Sequence, residues 1–163
     1  MFYFSHRALH NKFLYQHIHK QHHQFSVSIG IASSYQHVLE GAAQMLNWYV
    51  PVGLAGYFGG GIHISTVFWY NCLRWVETVD AHCGYHFPWS PFAAIPLFGG
   101  AIQHDFHHSG EGLEFIKLPD GSTFAEFGNY GASVVWDYLL GTFSPEYTEY
   151  RSAILEGRTP GDE

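Results

Sequence analysis

The sequence contains one histidine pattern twice, first as His19-Lys20-Gln21-His22-His23 and again as His104-Asp105-Phe106-His107-His108. In an α-helix, consecutive residues are about 100° apart, so positions i, i+3 and i+4 lie on the same face. If both stretches are helical, the three imidazoles of each pattern converge on one side of a helix. Imidazole nitrogens are common metal ligands, and this spacing therefore predicts a metal site.

Two further histidine pairs have i, i+4 spacing, namely His6 with His10 and His82 with His86. Residues at this spacing are only about 40° apart on a helix, which suits two ligands to one ion. A single straight helix would turn the first pair away from His19, so we predict a bend near Asn11-Lys12. The predicted metal ligands are His6, His10, His19, His22, His23, His82, His86, His104, His107 and His108.

This ligand set is too large for one tetrahedral zinc ion, which binds about four ligands. It suits two transition-metal ions of octahedral type with some coordination positions left open. The spacing does not choose the metal, because imidazole binds Zn, Cu, Fe and Ni.

A second layer of polar groups can orient the ligand rings by hydrogen bonding to them. The candidates are His37, which has Glu40 three residues later, and the acidic residues Glu77, Asp80 and Asp137. For the acidic residues, a helix cap or a surface charge is the alternative. His17 and His63 are not predicted as ligands, because they fall outside the spaced clusters.

From Gly41 to Leu73 the chain contains no Asp, Glu, Lys or Arg. One membrane-spanning helix needs about 20 apolar residues and two need about 40. Pro51 and the Gly59-Gly60-Gly61 triplet would also interrupt a long helix.

This uncharged stretch therefore predicts two shorter helices, near 42–58 and 62–79, that dip into a bilayer as a hairpin. Glu40 and Arg74 would then lie near the water boundary. A hairpin buried in a soluble core is the alternative, which length alone does not exclude.

The composition agrees with a partly apolar surface. Charged residues make up 13% of the chain, about half of the roughly 25% that is typical of soluble globular proteins. The net charge of −7, with only seven Lys and Arg, argues against nucleic-acid binding, which requires phosphate neutralisation. The two cysteines form no CxxC pair and no disulfide framework.

The fold class predicted from these features is all-α, a membrane-embedded helical domain that carries a histidine-rich di-metal site. One domain covers 1–150, and 151–163 are expected to be a flexible tail. Within the domain, residues 130–143 are predicted to be helical. A small surface hairpin is predicted to join Phe115-Ile116-Lys117 to Thr123-Phe124-Ala125 through the turn Leu118-Pro119-Asp120-Gly121.

The ordered clusters resemble the fatty acid hydroxylase and sterol desaturase superfamily over roughly residues 2 to 148. Within it, the stretch from Glu77 to Pro91 is similar to the signature of the sterol 4α-methyl oxidases. Further similar segments are Ser5-His6-Arg7, Tyr35 to Glu40, Ile95-Pro96, Gly99-Gly100-Ala101, His104 to His108, Asn129-Tyr130-Gly131, Trp136-Asp137 and Gly141-Thr142.

The chain departs from the pattern of this family in three ways. Family members normally have membrane helices upstream of the first cluster, so the chain is expected to be a partial one. His86 occupies a position where many methyl oxidases have Asp and other hydroxylases have His. The stretch 109–128 is longer than usual.

The resemblance implies an O2-dependent monooxygenase of the endoplasmic reticulum membrane, with its metal site on the cytosolic side. Two iron ions, held by the ten histidines named above, would activate O2. Electrons would come from NAD(P)H through a reductase and a small membrane cytochrome. The substrate would be a sterol taken from the membrane lipid, whose methyl group at carbon 4 is oxidised stepwise to alcohol, aldehyde and acid.

Two alternatives remain open at this point. One is a fatty-acid or other lipid hydroxylase or desaturase of the same superfamily. The other is a non-catalytic metal-binding membrane protein or an inactive fragment. The metal content separates an oxygenase from a non-catalytic metal-binding protein, because two irons per chain favour the oxygenase and one zinc does not.

Acidification is expected to release the metal, because imidazole must be neutral to bind it. With ordinary histidine pKa values, the loss is expected below about pH 6.

Overall fold

The computed structural model describes residues 1–25, 27–95, 97–109, 114–117, 123–126 and 128–158 of the chain. Its described part is mostly helical, as predicted. Eight α-helices are present among these residues: α1 (Phe2–Leu9), α2 (Lys12–His17), α3 (Val38–Phe58), α4 (Ile64–His82), α5 (Pro91–Ala94), α6 (Gly100–Ser109), α7 (Val134–Leu139) and α8 (Glu146–Leu155). Two 3₁₀ helices (His19–Gln24 and Gly30–Ser34) and two short strands, β1 (Glu114–Lys117) and β2 (Thr123–Glu126), complete the elements.

The predicted bend near Asn11-Lys12 is confirmed. Helix α1 ends at Leu9, and the side chain of Asn11 begins α2 by accepting a hydrogen bond from the Phe13 backbone N–H at 3.1 Å. A side-chain acceptor at this position satisfies one of the backbone donors that a helix start leaves unpaired. The change of direction brings the histidines of the first segment toward those of the first 3₁₀ helix.

The two helices predicted near 42–58 and 62–79 are present as α3 and α4. Each helix begins at a histidine, His37 or His63, whose Nδ1 accepts a backbone N–H two residues later at 3.2 Å. Between the helices, Gly60 and Gly61 have φ angles of 76° and 127°, which glycine adopts without steric cost. The two long helices are therefore separate and connected by a tight glycine turn.

Large apolar side chains on this hairpin are exposed rather than buried. Tyr57, Phe58 and Ile64, at its turn, are 80%, 81% and 76% exposed. Among the described residues, no helix combines the length and the apolar character needed to cross a membrane.

Helix α6 lies at the centre of the fold, between α4 and α8. Its side chains Ile102 and Phe106 pack against Tyr147 and Tyr150 of α8 in a buried cluster. The Tyr150 hydroxyl also donates to Asp105 Oδ2 at 2.6 Å. Helix α6, which carries one of the two repeated histidine patterns, is thus fixed on both sides.

Because α8 continues to Leu155, the prediction of a flexible tail from residue 151 is wrong for 151–155. Ala153, within this segment, is only 3% exposed. The apolar face of α8 extends past residue 150 because Ala153 and Ile154 continue its buried side. Residues 159–163 lie outside the described part of the chain.

Of the predicted surface hairpin, the structure describes the two strands, which are antiparallel, with Phe115 opposite Ala125 and Lys117 opposite Thr123. The predicted turn at 118–121 lies outside the described residues.

The helix predicted over 130–143 is shorter in the structure, because α7 spans only Val134–Leu139. The Ser133 hydroxyl accepts from Val135 N–H and starts the helix, and Gly141, with a φ of 66°, follows its end.

Gly84 lies in the turn that follows the end of α4, and a substitution there tests this turn. Its φ is 75°, and an added Cβ would lie 2.4 Å from the backbone oxygen of Ser28. Gly84→Ala is expected to lower the free energy of unfolding by more than the roughly 1–2 kcal/mol that a left-handed backbone alone costs. Gly141→Ala is the matched control, since its φ is also positive but nothing lies within 4 Å. Denaturant unfolding followed by circular dichroism measures both, and equal losses would contradict the steric contact.

Candidate metal centre

Nine histidines converge into two groups of side chains that can hold metal ions. In each group, the ring nitrogens lie within 4.8 Å of one another. Group A consists of His6, His10, His19, His23 and His107, and group B consists of His22, His82, His104 and His108. The rings are buried, except that His23 and His104 are half-buried.

The Nε2 atoms within each group point at one another. In group A, His10 Nε2 lies 3.0 Å from His19 Nε2 and 3.1 Å from His107 Nε2. In group B, His104 Nε2 lies 2.8 Å from His82 Nε2 and 3.1 Å from His108 Nε2. Two nitrogens bound at right angles to an ion at about 2.1 Å would be about 3.0 Å apart. The donors are thus spaced as neighbouring ligands of an octahedral-type ion.

In three of the rings, a backbone carbonyl determines which nitrogen is free to bind a metal. Nδ1 of His6, His82 and His107 lies 2.7–2.8 Å from the oxygens of Tyr130, Thr78 and Gly128, respectively. A carbonyl only accepts, so each Nδ1 carries the proton and each Nε2 presents its lone pair. This is the arrangement in which histidine binds a metal, and it fits transition ions that prefer imidazole.

Each repeated histidine pattern is divided between the two groups, so the prediction that all three rings of a pattern converge is wrong. The i and i+4 members stay together, as His19 with His23 and His104 with His108. The i+3 members, His22 and His107, join the opposite group. Because both patterns serve both groups, the groups are in contact. The rings of His23 and His108 stack across the boundary, with centroids 4.4 Å apart.

His86 is the one predicted ligand that the structure does not bring into either group. The prediction assumed that the helix continues from His82 to His86. Helix α4 instead ends at His82, and the positive φ of Gly84 redirects the chain. His86 lies near the Asp80 carboxylate, where it partly opposes the rise in the pKa of Asp80 that burial causes.

Glu40 orients the ring of His19. The sequence had instead indicated His37, three residues earlier, as the residue that orients a ligand ring. Glu40 Oε1 lies 2.8 Å from His19 Nδ1, and the carboxyl is buried. Burial raises the pKa of Glu40 to about 8. His37 instead caps α3 through its Nδ1. The available signal was that Glu40 is the last acidic residue before the uncharged stretch.

The other predicted acidic residues have different partners. Glu77 is paired with the Arg74 guanidinium rather than with a histidine ring, although burial raises its pKa. Asp80 accepts a hydrogen bond from the Ser90 hydroxyl at 3.2 Å, and burial raises its pKa as well. Both residues border the metal groups without orienting any of the nine rings through a described hydrogen bond.

Asp137 acts on the site indirectly, by holding the loop from Gly128 to Gly131. It is fully buried and accepts from the backbone N–H groups of Tyr130 and Gly131 at 2.8 and 2.9 Å and from the Thr142 hydroxyl at 2.9 Å. Burial raises its pKa, and these three hydrogen bonds oppose that shift. The same loop supplies the carbonyls that bind His6 and His107.

Asn129 makes this loop possible, and its role was not predicted from the sequence. It has a φ of 57°, a conformation that asparagine tolerates better than most residues. Its Oδ1 accepts from the Ser144 N–H at 3.0 Å, and its own N–H donates to the Thr142 oxygen at 2.9 Å.

Burial keeps the imidazoles neutral. It lowers the pKa of His22, His82 and His107 to about 4. The pKa values of the other six rings are lowered too, again mainly by burial and further by neighbouring histidines. A cluster of rings that resists protonation can bind a cation without competition from protons at neutral pH.

A cavity opens onto both groups. His6 and His19 of group A and His22, His82 and His104 of group B line it. Apolar side chains from α1 and from the segment around α5, including Phe2, Leu9, Phe92 and Phe98, form further parts of its wall. The candidate metal centre is thus accessible to a mainly apolar molecule.

Comparison with known proteins agrees with a helical domain that carries two histidine groups beside a cavity. Residues 1–142 match the fatty acid hydroxylase family, and the chain belongs to that family. The chain is 39% identical over 160 residues to very-long-chain aldehyde decarbonylase GL1-8 of Oryza sativa subsp. indica, covering 98% of this chain and 53% of the relative.

Methylsterol monooxygenases are similar to a comparable degree. Identity is 40% over 143 residues with methylsterol monooxygenase 2-2 of Arabidopsis thaliana, covering 87% of this chain and 47% of the relative. Identity is 35% over 159 residues with methylsterol monooxygenase 1 of Danio rerio, covering 93% of this chain and 46% of the relative. The chain therefore spans about half the length of these relatives, which are enzymes. No solved structure matches the chain.

Glu40→Gln tests the orientation of His19. The amide keeps a hydrogen-bond acceptor but cannot ionise, whereas Glu40, whose pKa burial raises to about 8, can lose its proton when a cation binds nearby. Metal affinity is therefore expected to fall about 10–100-fold, as for other such partners. Glu77→Gln is the matched control, since Glu77 bonds Arg74 and should leave affinity nearly unchanged. Competition with a chelator measures both, and equal effects would contradict the assigned role of Glu40.

The lowered pKa values change the expected response to acid. Above pH 6.5 the folded and unfolded chains both hold neutral histidines, so these residues add no pH dependence. Between pH 6.5 and about 4 only the unfolded chain gains protons, and the free energy of unfolding of the metal-free protein falls as pH falls.

The same lowered pKa values change the pH at which metal is expected to leave. Bound metal is expected to persist at pH 5 and to leave near pH 4, rather than already below about pH 6. Metal content after gel filtration at each pH checks this, and loss by pH 6 would contradict it.

Proposed function

We propose that this chain is the histidine-cluster part of a di-iron, O2-dependent monooxygenase that oxidises the 4α-methyl group of sterol precursors. The observation that carries the proposal is the pair of contacting histidine groups at the floor of one cavity. The similarity to methylsterol monooxygenases supports the sterol substrate.

The proposed iron supplies what no side chain can, namely O2 activation for the oxidation of an unactivated C–H bond. The protein's own groups orient four of the nine imidazoles by hydrogen bonding. Glu40 bonds His19, Thr78 bonds His82, and the loop from Gly128 to Gly131 bonds His6 and His107. Their burial excludes water and keeps the rings neutral.

The geometry favours two ions at neighbouring positions. Groups A and B together offer nine nitrogens, which exceed what a single ion accepts. The stacked rings of His23 and His108 keep the groups adjacent. Five donors in group A and four in group B leave coordination positions for O2.

A fatty-acid or other lipid hydroxylase or desaturase is the second candidate. The similarity to a very-long-chain aldehyde decarbonylase over nearly the whole chain favours it. Both candidates use the same metal groups and the same cavity, and they differ only in the molecule that enters.

We further propose that the chain works at the endoplasmic reticulum membrane, with the α3–α4 hairpin dipping into the cytosolic leaflet. The exposed turn residues Tyr57, Phe58 and Ile64 support this placement, since exposed apolar surface of this kind is costly in water. A lipid substrate could then reach the cavity without crossing water. Electrons would come from NAD(P)H through a reductase and a membrane cytochrome.

Metal analysis and product analysis together test the function. Purified protein is expected to contain two irons per chain, and membranes of cells that lack their own methyl oxidase are expected to stop accumulating 4-methylsterols when a full-length form is supplied. His82→Ala is expected to lower the metal content, whereas His86→Ala, the nearby control, is expected to keep it. One zinc per chain, or two irons without O2 consumption, would overturn the proposal in favour of a non-catalytic metal-binding protein.

Vesicle flotation tests the membrane hairpin. Combined Tyr57→Ser, Phe58→Ser and Ile64→Ser changes are expected to reduce binding to phospholipid vesicles by at least tenfold, because each removes apolar surface from the bilayer. The control replaces Tyr138 and Leu139 of α7, which are similarly exposed, by Ser. Unchanged flotation of the hairpin variant would contradict insertion.

A further inference from the structure

The cavity above the histidines is not uniformly apolar. Apart from the histidine rings, three of its lining residues have a buried polar atom without a hydrogen-bond partner among the described residues: Glu40 Oε2, Arg74 Nε and Gln103 Oε1. Buried polar atoms in folded proteins almost always have a partner, because leaving them unpaired is costly. A cavity that only had to accommodate hydrocarbon would not need these groups. They point to a ligand with a polar end.

Gln103 is the most enclosed of the three, at 1% exposure. Its Nε2–H donates to the Gly131 oxygen at 3.0 Å, which determines which end of the amide is the oxygen. The amide lies against Gly99, where an added Cβ would come within 1.5 Å of Oε1. The absence of a side chain at Gly99 therefore makes room for this acceptor, next to the group B ligand His104.

Arg74 is held in place from two sides. Its guanidinium is paired with Glu77, and it lies over the ring of Trp48, 5.5 Å from the centroid. The ion pair uses a terminal nitrogen, which leaves the Nε–H as an unpaired donor. The residues that line the cavity thus include an unpaired acceptor on α6 and an unpaired donor on α4, two helices that pack together.

We propose that Gln103 and Arg74 recognise a hydroxyl group of the lipid substrate, an inference that rests on the proposed function. The hydroxyl donates to Gln103 Oε1, and its oxygen accepts from the Arg74 Nε–H. The terminal torsion of glutamine is broad, and the proposal requires the Gln103 amide to turn when the hydroxyl binds. An aldehyde or an ether only accepts and would leave Gln103 unpaired. The pair therefore selects a sterol, which carries a hydroxyl, over a long-chain aldehyde.

Equilibrium binding tests this without requiring turnover. The probes are a 4-methylsterol and the same sterol with its hydroxyl O-methylated, bound to the purified full chain in detergent. The wild-type protein is expected to bind the free alcohol about tenfold more tightly, the difference that one well-placed hydrogen bond produces. Gln103→Met is expected to bring this ratio close to one. Gln44→Met, the same change at another glutamine of the cavity wall, is expected to keep it.

Arg74→Lys gives an independent test, because lysine can keep the pairing with Glu77 but has no Nε–H. It is expected to weaken both probes by a similar factor and leave their ratio unchanged, since both oxygens accept. Equal wild-type affinity for the two probes, a ratio that survives Gln103→Met, or tighter binding of a long-chain aldehyde would overturn the recognition. Retained discrimination without sterol oxidation by the iron-loaded, reduced enzyme would instead overturn the proposed function alone.

Discussion

Nine imidazoles, seven buried and two half-buried, whose ring nitrogens converge in two groups, are the constraint on which the rest of this structure depends. Neutral rings in an apolar interior need a partner at each nitrogen, and the protein supplies several of the Nδ1 partners from its backbone. This requirement accounts for the short and interrupted elements around the site. The loop between β2 and α7 is an example, because its carbonyls lie beside two of the rings.

The clearest case is the loop from Gly128 to Gly131, which is distant in sequence from most of the rings. Asp137 and Asn129 hold it, and its carbonyls bond His6 and His107. Tyr3 and Thr142 share a hydrogen bond of 2.8 Å that joins α1 to the same region. The N-terminal helix is thus joined to the C-terminal part of the described chain next to the histidine groups.

The cavity and the hairpin extend this arrangement toward a lipid. Helices α3 and α4 contribute Glu40 and His82 to the centre and Arg74 to the cavity wall, while their connecting turn exposes Tyr57 and Phe58. The same two helices therefore have a polar function at one end and an apolar surface at the other. An exposed apolar end beside a cavity lined by histidines of both groups is consistent with the lipid substrate proposed above.

The sequence by itself determined the local features: the helical hairpin, the bend at Asn11, and nine histidines that converge. These follow from rules that act over a few residues, such as the i, i+4 spacing that keeps His104 with His108. Only the tertiary structure decided how the rings are shared, because His22 and His107 cross to the opposite group through contacts between distant segments. It also decided that His86 lies apart and that Glu40, not His37, bonds His19. The carbonyls of Thr78, Gly128 and Tyr130 have no side-chain signature, so their role appears only when the folded backbone places them beside a ring.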